Sequence, residues 1–355
     1  MDILRRHFLQ VPVAAAAAGA ASGDALPTYR SVTPYASVGE PNRYRGKVVH
    51  AAAEQNAESV KQALAASMKA LTGASDDRDA WRSFIQPADV VAIKVNCSGA
   101  PKIMSHPLVV AEIARCLVAI GVPAQNVYVY ERFDNQMVDA NYPAVVPAGV
   151  QMHAMEDGRR RGGISKYDQR AYVETDFFGE EETRSFMSKL VTQKVTKIIN
   201  VPNMKDHGAA GVTGCLKNIA YGSFSNVARS HKNTRTNTLS FIGTLYNLEP
   251  LRSKTVLHIM DGLKGVWQGG PFVRQDRFIF EPKRLMVGTD PIAMDRLLID
   301  IIEDKRKQMG AVSVWDRSAA ALKESAFYRE PGHIEFASRF GLGEYDKAKI
   351  KEIQA

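Results

Sequence analysis

The residues best placed to do chemistry crowd into one stretch, Lys197 to His231, KIINVPNMKDHGAAGVTGCLKNIAYGSFSNVARSH. Lys205, His207, Lys217, Arg229 and His231 stand there among small and apolar neighbours. An amine taken out of water loses proton affinity and becomes a nucleophile or an anion clamp. Cys215, Leu216, Ile219 and Ala220 surround Lys217 in sequence, so its ammonium is expected to be partly desolvated. Gly208, Gly211 and Gly214 flank Thr213, which reads as the N-cap of a helix through about Tyr221 with Gly222 as its stop. A strand, a glycine turn and a helix start aim backbone N–H groups at one point, which suits phosphate or carboxylate. Lys205, Gly211, Thr213, Gly214 and Asn218 are therefore predicted to line a cofactor or anion site. The same residues also read as a loop of solvated charges followed by a short helix.

The elements that must position this cluster alternate. Ile198, Ile199 and Val201 form a β-branched run stopped by Pro202, followed by a loop from Asn203 to Gly208. Upstream, strands are predicted at Val48 to Ala52, Val90 to Asn96 and Val127 to Tyr130, with helices over Glu58 to Leu71, Asp79 to Ile85 and Pro107 to Ile120. The stretch from Asn141 to Glu182 is irregular and reads as an insertion or cap, and a helix is expected around Arg184 to Thr192. Downstream come a helical stretch over Thr238 to Leu251 and strands at Val256 to Met260 and Arg284 to Val287. A helix to about Gln308 follows, capped by Thr289 or Asp290 with Pro291 first. This is an α/β pattern: an open, mainly parallel sheet with helices on both faces and an irregular insertion or cap. In such sheets ligands bind beyond the carboxyl ends of the strands. Asn96 and Asp261, at two of those ends, are predicted to join the site, Asp261 either as a ligand or as a turn former before Gly262.

Composition bounds the rest. The chain has 355 residues, 45% hydrophobic and 24% charged, with a formal charge of +8. That allows a sizeable core and a basic surface attractive to anions, but the charges are dispersed, and no aromatic-interleaved basic stripe points to nucleic acid. The one dense run, Arg159 to Arg161, reads as a solvated loop. Residues 1–25 have the layout of a secretory signal, with Arg5 and Arg6 ahead of Phe8, Leu9 and an alanine run; the paired arginines make it the twin-arginine type. That pathway exports folded proteins, so the expected location is periplasmic or secreted, with the translocase as a partner. No other segment is long and apolar enough to span a membrane. Cys97, Cys116 and Cys215 lack CxxC spacing, so no iron–sulfur cluster is expected from this chain alone; Cys97 and Cys215 could pair or could face one site.

The motifs VAIKVN at 91–96, VPNMKDHGAAGVTGCLKN at 201–218, RSHKN at 229–233, MDGLKGVWQGGP at 260–271 and VGTDPIAMD at 287–295 resemble a prokaryotic family known as domain of unknown function 362. The likeness covers most of residues 45–310, read as an α/β domain over 46–310; residues 26–45, polar with Pro27, Pro34 and Pro41, read as an extended lead-in and 311–355 as a C-terminal helical tail. His207, Gly211 to Gly214, Lys217 and His231 also look like the cofactor-holding segment of nickel-pincer lactate racemases. That similarity implies Lys217 as a cofactor anchor, His231 as a metal ligand and His207 as an acid/base group. Here Thr213, Gly214, Cys215 and Leu216 replace the glycine-arginine-lysine form usual before the anchor.

Together these readings define an exported protein with one anion- or metal-binding centre. The first reading is a metal- or cofactor-dependent enzyme, using a divalent metal, nickel or another, or a phosphate-containing cofactor. It would act on a small anionic substrate by proton or hydride chemistry, with His207 and Lys217 as the catalytic pair and His231 and Asp261 as metal ligands. The alternative is a periplasmic binding module for a metal or a phosphorylated or carboxylated ligand, without turnover.

Overall fold

The computed structural model describes residues 26–37, 42–156 and 165–355; the signal segment 1–25 and the Arg159 to Arg161 run lie outside the described residues. Short β-branched runs build an open eleven-stranded sheet. Its main path runs Lys351–Gln354, Lys47–Ala52, Arg284–Gly288, Thr255–Val266, Lys197–Asn200, Val91–Lys94, Val127–Phe133, Gln151–Glu156. From Thr255–Val266 to Gln151–Glu156 the neighbours are parallel, while Arg284–Gly288 runs antiparallel to both of its neighbours. The period-2 alternation of a strand then sends consecutive side chains to opposite faces. Ile198 packs with Leu216, Ile219, Phe241 and Leu298 on one face, and Ile199 with Leu64, Met68, Val109 and Ile113 on the other. Each such fully buried side chain contributes about 1.5–3 kcal/mol.

Most predicted helices form where their caps place them. Asn56 accepts from Ser59 N–H at the start of Ala57–Thr72, and Pro107 opens Pro107–Ala119. Asp290 rather than Thr289 caps Pro291–Gln308, its carboxylate accepting from Ala293 N–H at 2.9 Å.

Several segments differ from their sequence reading, among them the helix expected over Thr238 to Leu251, which stops at Tyr246. The helix expected over Arg184 to Thr192 is a strand, Arg184–Ser188, followed by one π-turn over Leu190–Lys194. It pairs antiparallel with Tyr167–Glu174, which also pairs with Arg30–Ser31, in a separate three-stranded sheet. A short mixed run carries no period, and pairing decided it. Within the expected irregular stretch, Gln151–Glu156 is an edge strand of the main sheet. The expected loop after Pro202 is a hairpin, Asn203–His207 against Gly211–Thr213. The strand expected to stop before Asp261 continues to Val266, with an irregular register between Asp261 and Val266. Beyond residue 311 the chain forms the helices Ala319–Ser325 and His333–Ser338 and ends in a strand, Lys351–Gln354, parallel to Lys47–Ala52.

Candidate active site

The helix Cys215–Ser223 carries the site, and its start is not capped by Thr213. Thr213 belongs to the hairpin, and its hydroxyl is buried without a hydrogen-bond partner among the described residues. The carboxylate of Asp295 instead accepts from Cys215 N–H at 2.5 Å and Leu216 N–H at 2.9 Å. The acceptor expected from an external anion at this helix start is thus supplied by the chain itself, a carboxyl that burial raises to about 7. Gly214 makes the approach possible, since a Cβ there would overlap the Asp295 carboxylate. Gly214 therefore makes room for the protein's own carboxyl, not for an external phosphate. Gly211, at φ 82°, turns the hairpin.

Along one side of this helix runs a buried network of amides and lysines at the strands' carboxyl ends. Lys94 lies 2.9 Å from Glu131 Oε1, donates to the Val95 carbonyl and reaches Asn218 Oδ1 at 3.4 Å. Asn96 donates to the same Asn218 oxygen at 3.2 Å, and Asn218 donates to Asn200 Oδ1 at 2.8 Å. Asn200 completes the chain at His258 Nδ1, 3.0 Å away. Lys205 donates to Asn96 Oδ1 at 2.8 Å and to the Ser98 and Ile103 carbonyls. Burial pushes the Lys205 amine down to about 7. Asp261 belongs to this side, its two oxygens accepting from His106 N–H at 2.6 Å and Leu263 N–H at 2.9 Å. Burial raises its carboxyl to about 6.

The helix residue just before Asn218, Lys217, faces a different group. Its Nζ stands 4.3 Å from the Tyr221 ring centroid, and it makes no hydrogen bond or ion pair among the described residues. Burial first, and the Arg132 guanidinium second, push its amine down to about 7. Tyr221 packs edge-on against His231, and the His231 and His207 rings are 5.1 Å apart. His207 Nδ1 accepts from Ala209 N–H at 3.0 Å and Ala210 N–H at 3.1 Å, so its lone pair is taken and the neutral ring carries its proton on Nε2. Burial and the Lys217 charge hold His207 and His231 well below the usual imidazole range, so both are neutral. The ring of His231 bonds the Ala228 backbone and leaves Nε2 without a partner among the described residues. The group therefore offers an amine that exchanges its proton near neutral pH, one N–H donor and one bare imidazole nitrogen.

The structure thus brings His207, Lys217 and His231 together, and separately Asn96, Lys205, Asn218 and Asp261; Lys217 and Asn218 join the two groups through adjacent positions on one helix. His231 and Asp261, the predicted metal ligands, fall in different groups. Both Asp261 oxygens are occupied by backbone N–H groups, and no three His, Cys, Asp or Glu side chains among the described residues have metal-holding geometry. These two residues do not form one metal centre. His207 is a poor ligand as well, because its Nδ1 lone pair is taken and its Nε2 holds the proton; the Nε2 of His231 is the better nitrogen donor. Cys97 and Cys215 are both free and pack in opposite-face clusters, so they neither pair nor share a site. Neither the cavity of about 470 Å³ beside Glu180 and Lys232 nor that of about 300 Å³ beside Arg43 and Arg252 is lined by His207 or Lys217. Asn200, Tyr221, Asp295 and Arg132 were not singled out as site residues from sequence; a lone Asn or Asp beside an apolar run was the only signal for Asn200 and Asp295, and Tyr221 and Arg132 carried none.

An open, mainly parallel α/β sheet with a lysine-bearing helix over its strand ends defines the class of protein. Residues 91–300, more than half of the chain, match the family described as domain of unknown function (DUF362), and the chain belongs to it. No curated protein matches the chain. A crystal structure of a Thermotoga maritima protein, solved as a structural-genomics target, aligns at 11% identity and a TM-score of 0.40, covering 72% of this chain. This chain spans 59% of that protein's length. Among the described residues no helix is long and apolar enough to cross a membrane.

Proposed function

We propose that the protein is an exported enzyme that moves a proton on a small anionic substrate, with Lys217 as the proton-transfer group. The observation that carries this reading is a buried lysine amine with no hydrogen-bond or ion-pair partner among the described residues, pushed down to about 7. An amine at that pKa is present both as free base and as ammonium at neutral pH, the condition for efficient general acid/base catalysis. The Nε2–H of neutral His207 supplies a hydrogen bond to the negative charge that develops when a proton leaves the substrate. The ammonium form of Lys217 favours an anion in the same place. The same donors would hold the anionic group of a cofactor.

The test is solvent exchange. Small carboxylates bearing a C–H beside the carboxyl or carbonyl carbon, incubated with the protein in D2O, should lose that proton's NMR signal. Lys217→Met should slow the loss by about a hundredfold or more. Saturable anion binding without any exchange would instead favour the binding-module reading.

A further inference from the structure

The chain beyond the Pro291–Gln308 helix crosses back over the hairpin that holds His207. Glu330 N–H donates to the Ala209 carbonyl at 2.8 Å, and Tyr328 N–H to the Thr234 carbonyl at 2.9 Å. Pro331 lies so close to Gly211 that a Cβ there would come within 2.8 Å of its ring. A buried ion cluster fastens this strap. Arg329 Nε is 3.3 Å from Asp206 Oδ1 and its Nη2 is 2.7 Å from Glu324, while Arg306 reaches both carboxylates.

The strap delivers His333, which is fully buried. Its Nδ1 lies 2.8 Å from the Glu330 carbonyl oxygen, an atom that can only accept, so Nδ1 carries the proton. In the neutral ring Nε2 is then a lone pair that makes no hydrogen bond among the described residues, although the Ala210 carbonyl is a second backbone oxygen beside the ring. Lys217 and His207 are its electrostatic neighbours, and burial pushes the imidazole down to about 4. A buried acceptor left unpaired is costly, and a donor on a bound ligand would remove that cost.

We propose that His333 is a further residue of the site, its Nε2 lone pair accepting a hydrogen bond from the O–H or N–H of the small anion that Lys217 and His207 hold. The inference rests on the site assigned above and adds to it an acceptor from outside the segment matched by the family. It makes the ligand an anion that also bears a donor. No bond is broken at His333.

Nitrogen NMR of the full chain with 15N-labelled histidine and lysine, titrated with inorganic phosphate, tests this, because phosphate offers both oxyanions and an O–H. The expected result is a His333 Nε2 signal that moves from the bare-nitrogen position with the same midpoint as the Lys217 signal. His333→Asn places an amide where Nδ1 donated and removes Nε2; it should raise the phosphate dissociation constant about tenfold, the worth of one hydrogen bond. If phosphate moves the Lys217 and His207 signals and leaves His333 still, or if His333→Asn binds as tightly as the parent, the inference is overturned and the Lys217 reading stands. If none of the three responds, both fail. Should His333→Asn not fold, the spectrum of the parent protein decides.

Discussion

Asp295 and the start of the Cys215–Ser223 helix are joined by two hydrogen bonds, from Cys215 N–H at 2.5 Å and Leu216 N–H at 2.9 Å to the two carboxylate oxygens. A residue eighty positions downstream thereby fixes where Lys217 and Asn218 stand. Asp295→Ala should cost about 2–4 kcal/mol, because it strands two buried N–H groups and leaves a gap. Gly214→Ala should be comparably harmful, since its Cβ would overlap the carboxylate. The double variant should lose less than the two single losses added together, because both changes act on one contact. Urea unfolding of the four proteins checks this; strict additivity would refute the shared contact.

The depressed Lys217 amine should leave a mark on stability against pH. Its folded pKa, about 7, lies below the unfolded value, so between pH 7 and 10.5 the unfolded chain binds more protons. The destabilisation is full below pH 7 and is relieved as pH rises towards 10.5. Lys217→Met should therefore gain stability at pH 6–7, on the order of a few kcal/mol, and lose part of the alkaline rise. Lys205, also pushed down to about 7, keeps its own share of that rise in the variant. Thermal midpoints across pH 6 to 10 measure the difference.

Gly222 is not a helix stop; it lies inside Cys215–Ser223, and a Cβ there would overlap Lys94 Cε and Nζ. Gly222→Ala should push Lys94 off Glu131, at a cost of about 1–3 kcal/mol. Glu131→Gln leaves the Lys94 ammonium buried without its charge partner and should cost about 3–5 kcal/mol. Denaturant midpoints at pH 7 compare the two. Near-parent stability in Glu131→Gln would show that the pair is not needed.

The strap predicts local release. Asp206→Asn removes the charge between Arg306 and Arg329, and hydrogen exchange should rise first in residues 324–338, ahead of the sheet. Uniform exchange across the chain would count against an independent clamp.

Export is tested through the first residues. With Arg5 and Arg6 both replaced by lysine, the precursor should remain in the cytoplasm in folded form. Mature protein outside the cell, cleaved near Ala25, would remove the twin-arginine assignment.

By itself the sequence determined the alternation of strands and helices, because period-2 and period-3.6 apolar patterns and caps such as Asn56, Pro107 and Asp290 are local signals. It also located the cluster around His207 and Lys217, whose residue types are adjacent in the chain. What it could not decide was pairing. The Asn203–His207 strand is polar and reads as a loop, yet its partner Gly211–Thr213, the buried acceptors of Lys205 and the clamp on Asp206 make it the floor of the site. The helix start looked open to an external anion because nothing near Thr213 reveals that Asp295 returns to it. His333 lies in a weakly patterned tail, and only the strap's contacts bring it to the site. Tertiary structure decided these placements because hydrogen-bond satisfaction of buried polar groups is settled among residues far apart in sequence, and no local pattern records it.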